Sequence, residues 1–250
     1  MNVSGKMKPD FGIEENVISL KSNHFTMIEG PHMQSLLGCS IEEEKEFSAQ
    51  WNELTLDQYM GDGGTYRFRR YGQFQKFSES NSLQLLPHES YVQSSEVNYL
   101  NGDVKRIFDP LTDTFVQSPV LERTLMLLAD LYDQTLGQKC DWNIRLHPYR
   151  IQTTSDQIGQ PAPEGLHRDG VTFIASMMLQ RRNATGGVTR LTDDKRQPLA
   201  TIELKNRFDI VLSDDAKTLH DVSSVTPLNA ADIGYRDVLV IAFTLLGNAP

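Results

Sequence analysis

The rhythm of apolar and polar positions changes near residue 140. Before that point, Ile41, Phe47, Trp51, Leu54 and Tyr59 recur at roughly helical spacing among acids and amides, and Gly61-Asp62-Gly63-Gly64 closes the segment with turn chemistry. The spacing predicts a surface helix over 41–59. A second helix is predicted from Ser118-Pro119, an N-cap residue followed by proline at the first helical position. There Leu121, Leu125, Leu128 and Leu131 form an apolar stripe that Gly137 ends, as expected of a helix buttressing a sheet. After Cys140 the texture becomes short β-type runs: Trp142–Gln152, Val171–Gln180, Val188–Leu191, Phe208–Leu212, Thr218–Val222 and Val238–Thr244. Strands and helices do not alternate, which argues against a parallel βαβ sheet. The expected fold class is mainly β with flanking helices, a double-layered sandwich or jelly roll.

Composition narrows the function. The 250 residues are 39% hydrophobic and 23% charged, ordinary for a folded protein and long enough for a sizeable core. Residues 1–12 read as a flexible tail, and 13–250 as one domain. The net charge of -9 argues against nucleic acid as a partner, since phosphate binding draws on clustered Lys and Arg. Two distant cysteines, Cys39 and Cys140, indicate neither a disulfide framework nor a thiolate metal site. No run has the length of a signal peptide's apolar core or of a membrane span, so a cytoplasmic protein without a membrane partner is expected.

The chemistry concentrates in three segments. Leu166-His167-Arg168-Asp169-Gly170 holds His-x-Asp; in a strand, residues two apart point to one face and can reach one ion. That triplet alone is close to chance. A third member, His220, follows 51 residues after Asp169 on another predicted strand. Two imidazoles and one carboxylate on one octahedral face, with the other positions open, suit non-haem Fe(II) and leave room for a bidentate 2-keto acid and O2. Sixteen residues beyond His220, Arg236 interrupts the apolar run Val238-Leu239-Val240-Ile241-Ala242-Phe243 from its start. A guanidinium there needs an anion. The distal carboxylate of 2-oxoglutarate supplies one that a bidentate pair can hold.

These residues, with Arg67-Phe68-Arg69-Arg70-Tyr71, Tyr91 through Tyr99, Leu146-His147-Pro148-Tyr149-Arg150, Gly186-Gly187, Thr226-Pro227-Leu228 and Tyr235-Arg236-Asp237, resemble the bacterial 2-oxoglutarate/Fe(II) dioxygenases that hydroxylate free aliphatic amino acids, the L-isoleucine 4-hydroxylase group. The match follows the family's order over about residues 50 to 245. The resemblance implies a double-stranded β-helix of the cupin-like kind and oxidation of 2-oxoglutarate to succinate and CO2. It further implies hydroxylation of an unactivated C–H bond, with Fe(II), 2-oxoglutarate and O2 as cofactor and cosubstrates. Asp169 separates this chemistry from that of the related halogenases, where a small residue stands in the carboxylate's place. The chain departs from the pattern in two places. Val238 stands two residues after Arg236 where many such oxygenases have Ser or Thr, and His220 lies seven residues before Pro227, a longer spacing than usual.

A small-molecule amino acid is the expected partner. Its side of the site is assigned to Arg67, Arg69 and Tyr71, which strand alternation puts on one face, and to Tyr91, Gln93 and His147. Ser94 is a weaker candidate. Gly186-Gly187 reads as a turn, and Asp237, one residue beyond Arg236, is expected to pair with another strand. Two rival functions remain at this stage: a non-catalytic β-sandwich binding a small acid or metal for regulation, and a zinc hydrolase using the same ligands. The second leaves Arg236 unexplained.

Overall fold

Alternation along three long strands sorts the residues into two layers. The computed structural model describes residues 11–92 and 104–247, so Gln93, Ser94 and residues 1–10 of the expected tail lie outside the described residues. The helices are α1 (Phe11–Asn23), α2 (Gly30–Leu37), α3 (Ile41–Ala49), α4 (Asp113–Val116) and α5 (Pro119–Leu136). Strands in the first half are β1 (Phe25–Ile28), β2 (Thr55–Leu56), β3 (Arg67–Arg69), β4 (Gly72–Phe77) and β5 (Ser82–Leu85). Those after α5 are β6 (Asp141–Thr153), β7 (Phe173–Arg182), β8 (Ala184–Gly186), β9 (Thr189–Thr192), β10 (Pro198–Ile202), β11 (Ile210–Asp214), β12 (Leu219–Val222), β13 (Val225–Pro227) and β14 (Gly234–Leu246).

Among the described residues, nine strands form the major sheet along β1-β11-β7-β14-β6-β3-β2, with β4 on the first half of β6 and β5 beyond it. The three-stranded β10-β9-β12 and two-stranded β13-β8 sheets make the second layer. This is the expected jelly roll. Trp142, Ile144 and Leu146 of β6, Phe173, Ala175 and Met177 of β7, and Leu239, Ile241 and Phe243 of β14 pack with Leu121, Leu125 and Leu128 of α5 in the helix-side core. The alternate residues, including Ile174, Ser176, Val240 and Ala242, line a cavity between the sheets.

Several boundaries differ from expectation. The expected tail over 1–12 overlaps α1, which starts at Phe11 because Val17 and Leu20 find the core. The 41–59 helix stops at Ala49; a 3-10 turn over Gln50–Glu53 buries Trp51, whose indole N–H donates to the Tyr149 carbonyl at 3.0 Å, and Thr55-Leu56 then pairs with β3. The strand expected from Phe208 starts at Ile210, since Phe208 sits at φ +66°. Helix α5 begins and ends as its sequence signals, with Gly137 in the left-handed cap.

Candidate active site

Main-chain pairing brings the two histidines together. The His167 N–H donates to the His220 carbonyl at 3.0 Å and the His220 N–H returns to His167 at 2.9 Å, a single antiparallel bridge onto β12. Their rings lie 4.4 Å apart between centres. His167 was expected within a strand; it makes only this bridge, and the chain turns at once. Gly170, at φ +72°, permits the turn, around which the amides of Asp169 and Val171 donate to the buried Asp215 carboxylate at 3.1 and 3.0 Å. Asp215 thus positions Asp169.

One nitrogen or oxygen from each of His167, Asp169 and His220 lies within 4.8 Å of the others. His167 Nδ1 stands 2.7 Å from the Gly165 carbonyl, which only accepts; Nδ1 therefore carries the proton and Nε2 keeps its lone pair. His220 Nε2 is 3.4 Å from Asp169 Oδ2, and Glu164 Oε1 is 3.5 Å from His167 Nε2. Burial pushes the Asp169 carboxyl up, while the charges of His167 and Arg145 pull it back. Burial, helped by His167, lowers His220 to about 4. At His167 burial acts downward but loses to the charges of Asp169 and Glu164, and the ring is raised. Two imidazoles, with His167 giving up its Nε2 proton as a metal binds, and a carboxylate converging in this way form a donor set that fits Fe(II).

Arg236 sits on the cavity side of β14 with Val238, Val240 and Ala242. Asp237, on the opposite face, receives two hydrogen bonds from Arg150, each 2.8 Å, and one from Gln180 at 2.7 Å. It pairs with another strand, as expected. Arg236 is 2% exposed, its Nε lacks a hydrogen-bond partner, and among the described residues no carboxylate forms an ion pair with it. Neighbouring Arg181 is held by Glu203 and by the Gly186 carbonyl, each at 2.8 Å. Burial, reinforced by Arg181, pushes Arg236 down to about 9. Gly187 lies flat on this side chain at φ +65°; a Cβ there would come within 2.7 Å of Arg236 Cδ. A buried guanidinium with no carboxylate partner among the described residues is costly, and an anionic ligand would offset the cost.

The three convergent residues and Arg236 share one cavity of about 100 Å³. Of the residues assigned to the substrate, Arg67, Arg69, Tyr91 and His147 line it too. Tyr71 does not: β3 ends at Arg69, the Tyr71 N–H turns to the Asp109 carbonyl, and the ring stacks on His147 with centres 5.0 Å apart. Arg67 spends its charge on Asp57, with Nε and Nη2 both 2.8 Å from Oδ2. Arg69, fully buried, gives Nη2 to His147 Nδ1 and lays its guanidinium 3.7 Å from the centre of the Phe108 ring. Sequence reasoning missed Asp57, Asp215, Arg145 and Glu164. Only Arg145 carried a readable signal, standing two residues before His147 and so on the same face of β6.

The family model described as 2OG-Fe dioxygenase matches residues 48–242. An L-isoleucine-4-hydroxylase of Bacillus thuringiensis is 27% identical over 94% of this chain and 96% of its own length. A 3(1)-hydroxy-L-isoleucine 4-dioxygenase of Pantoea ananatis is 25% identical over 81% of both chains. Among solved structures, a bsmA homolog from Methylobium petroleophilum PM1 superposes with a TM-score of 0.86 at 28% identity, over 98% of this chain and 97% of that one.

Proposed function

The chain belongs to the 2OG-Fe dioxygenase family, and on that premise we propose that it hydroxylates an aliphatic C–H bond of a free L-amino acid or close derivative while 2-oxoglutarate becomes succinate and CO2. The observation that carries this reading is the sharing of one cavity by the His167, Asp169, His220 cluster and a buried Arg236 that has no carboxylate partner among the described residues.

In this reading His167, Asp169 and His220 hold Fe(II), and Arg236 holds the distal carboxylate of 2-oxoglutarate. Bound iron, with O2 and the keto acid, supplies the oxidising power. The protein's part is orientation. Asp215 fixes the turn that carries Asp169, the Gly165 carbonyl fixes the His167 tautomer, and Gly187 lets the backbone close over Arg236. Val240 and Ala242 give the cavity an apolar wall that keeps water from the reacting carbon. Residues 13–250 act as one catalytic domain. The proposed compartment is the cytoplasm, in line with the two cysteines being free thiols. Among the described residues no helix is long and apolar enough to cross a membrane.

The test is a panel of the twenty L-amino acids with Fe(II), ascorbate and 2-oxoglutarate, read by succinate release and product mass. At least one aliphatic amino acid is expected to raise succinate above the substrate-free rate and to gain one oxygen atom. Turnover with Zn(II) but not Fe(II), indifferent to 2-oxoglutarate, would instead establish a hydrolase.

A further inference from the structure

On the substrate side of the cavity one arginine has no carboxylate partner among the described residues. Arg67 has Asp57, and Arg69 faces His147 and the Phe108 ring, with Asp57 Oδ2 at 3.8 Å. Arg145 differs. It lines the cavity from β6, its Nε reaches only Asn143 Oδ1, at 3.4 Å, and among the described residues no carboxylate forms an ion pair with it. Its charge acts on Asp169, so it lies toward the metal-ligating cluster. Two residues along the same face, His147 accepts from Arg69 on Nδ1, which leaves its proton on Nε2 as a second donor at that wall.

An α-amino acid presents an anion and a cation on one carbon, so its site needs the opposite pair close together. Among the described residues, the carboxylate lining this cavity besides Asp169 is Glu164, carried by the loop that leads into His167. We propose that Arg145, assisted by His147, binds the substrate's α-carboxylate and that Glu164 binds its α-ammonium, so that a zwitterion with both charges free is the recognised unit. Val171, Val222 and Ala242 then remain as lining for an aliphatic side chain. Peptide-bound and N-acylated amino acids are excluded as good substrates. The proposal rests on the amino-acid reading above.

Anaerobic calorimetry on the full chain loaded with Fe(II) and 2-oxoglutarate tests it, with the amino acid most active in the panel, its N-acetyl derivative and its decarboxylated amine as probes. Loss of a charge-assisted hydrogen bond should weaken amino-acid binding about 10- to 100-fold in Arg145→Met, with partial recovery in Arg145→Lys. The affinity for 2-oxoglutarate and the thermal unfolding midpoint should stay at wild-type values, which separates recognition from misfolding. Arg145→Met should no longer distinguish the amino acid from the decarboxylated amine, and Glu164→Gln should no longer distinguish it from the N-acetyl derivative. Wild-type amino-acid affinity in Arg145→Met, or a parallel loss of 2-oxoglutarate binding, would overturn the assignment while leaving the amino-acid reading intact. Should the wild type turn over 2-oxoglutarate yet bind no amino acid, that reading falls and this assignment with it.

Discussion

Replacing Arg236 with methionine should make the unliganded protein more stable and its cosubstrate binding worse. Inside the fold the guanidinium is held near 9 against an ordinary 12.5. At about 1.4 kcal/mol per pH unit, keeping it charged at neutral pH costs several kcal/mol. Methionine fills a similar volume without charge, and exchanges of this kind commonly stabilise by about 1–4 kcal/mol. For a chain of this size that raises Tm by at least about 3 °C in scanning calorimetry without 2-oxoglutarate. The same change removes the proposed bidentate partner of the distal carboxylate. At about 1.5–3 kcal/mol per hydrogen bond to a charged group, the Kd for 2-oxoglutarate rises 10- to 100-fold or more in isothermal titration. The sign with pH follows from a depressed folded pKa. Below about pH 9 both folded and unfolded chains are protonated and the penalty is whole; above it the folded chain releases its proton first, so wild-type stability recovers. The Tm gap between variant and wild type should therefore narrow from pH 7 toward pH 10. A variant that melts below the wild type and binds 2-oxoglutarate normally would mean that Arg236 has a structural partner and no cosubstrate role.

Other perturbations follow from the same geometry. His167→Ala and Asp169→Ala should each abolish 2-oxoglutarate turnover and weaken Fe(II) binding in an anaerobic metal titration; wild-type rates in either would remove that residue from the metal site. Asp215→Asn leaves the Asp169 and Val171 amides a poorer acceptor, so Fe(II) affinity should fall about 10- to 100-fold with little change in 2-oxoglutarate affinity measured on the metal-loaded protein. Gly187→Ala forces a Cβ against Arg236 from a left-handed backbone, and should raise the KM for 2-oxoglutarate while leaving Fe(II) affinity unchanged. Val238 faces the cavity beside Arg236, so Val238→Ser should not weaken 2-oxoglutarate binding; a loss there would show that apolar packing at this position orients the keto acid.

Features set by local periodicity were legible in the sequence. Helix α5 announces itself by its proline, its leucine stripe and its glycine cap, and the strands carrying His220 and Arg236 by alternation that also puts Asp237 on the far face. What depends on distant partners was not. Nothing near Arg67 in sequence says that Asp57 will neutralise it, and nothing near Asp169 marks Asp215, 46 residues away, as the acceptor for its amide. Tyr71 is a further case: β3 and β4 keep one register on β6, so alternation holds, but the Tyr71 ring stacks on His147 and takes no part in lining the cavity. The 41–59 helix was overextended because the apolar spacing of Trp51 fits a helix, while its indole is anchored to Tyr149 by a contact spanning 98 residues.

Among the described residues five arginines line this cavity, and the functional reading depends on assigning one of them to the cosubstrate. An anaerobic crystal structure with Fe(II) and 2-oxoglutarate decides it. The expected density has the metal between His167 Nε2, Asp169 and His220, and the distal carboxylate paired with Arg236. Metal bound elsewhere, or the carboxylate seated on Arg145, Arg69, Arg67 or Arg106 with Arg236 untouched, would show the assignment to be wrong.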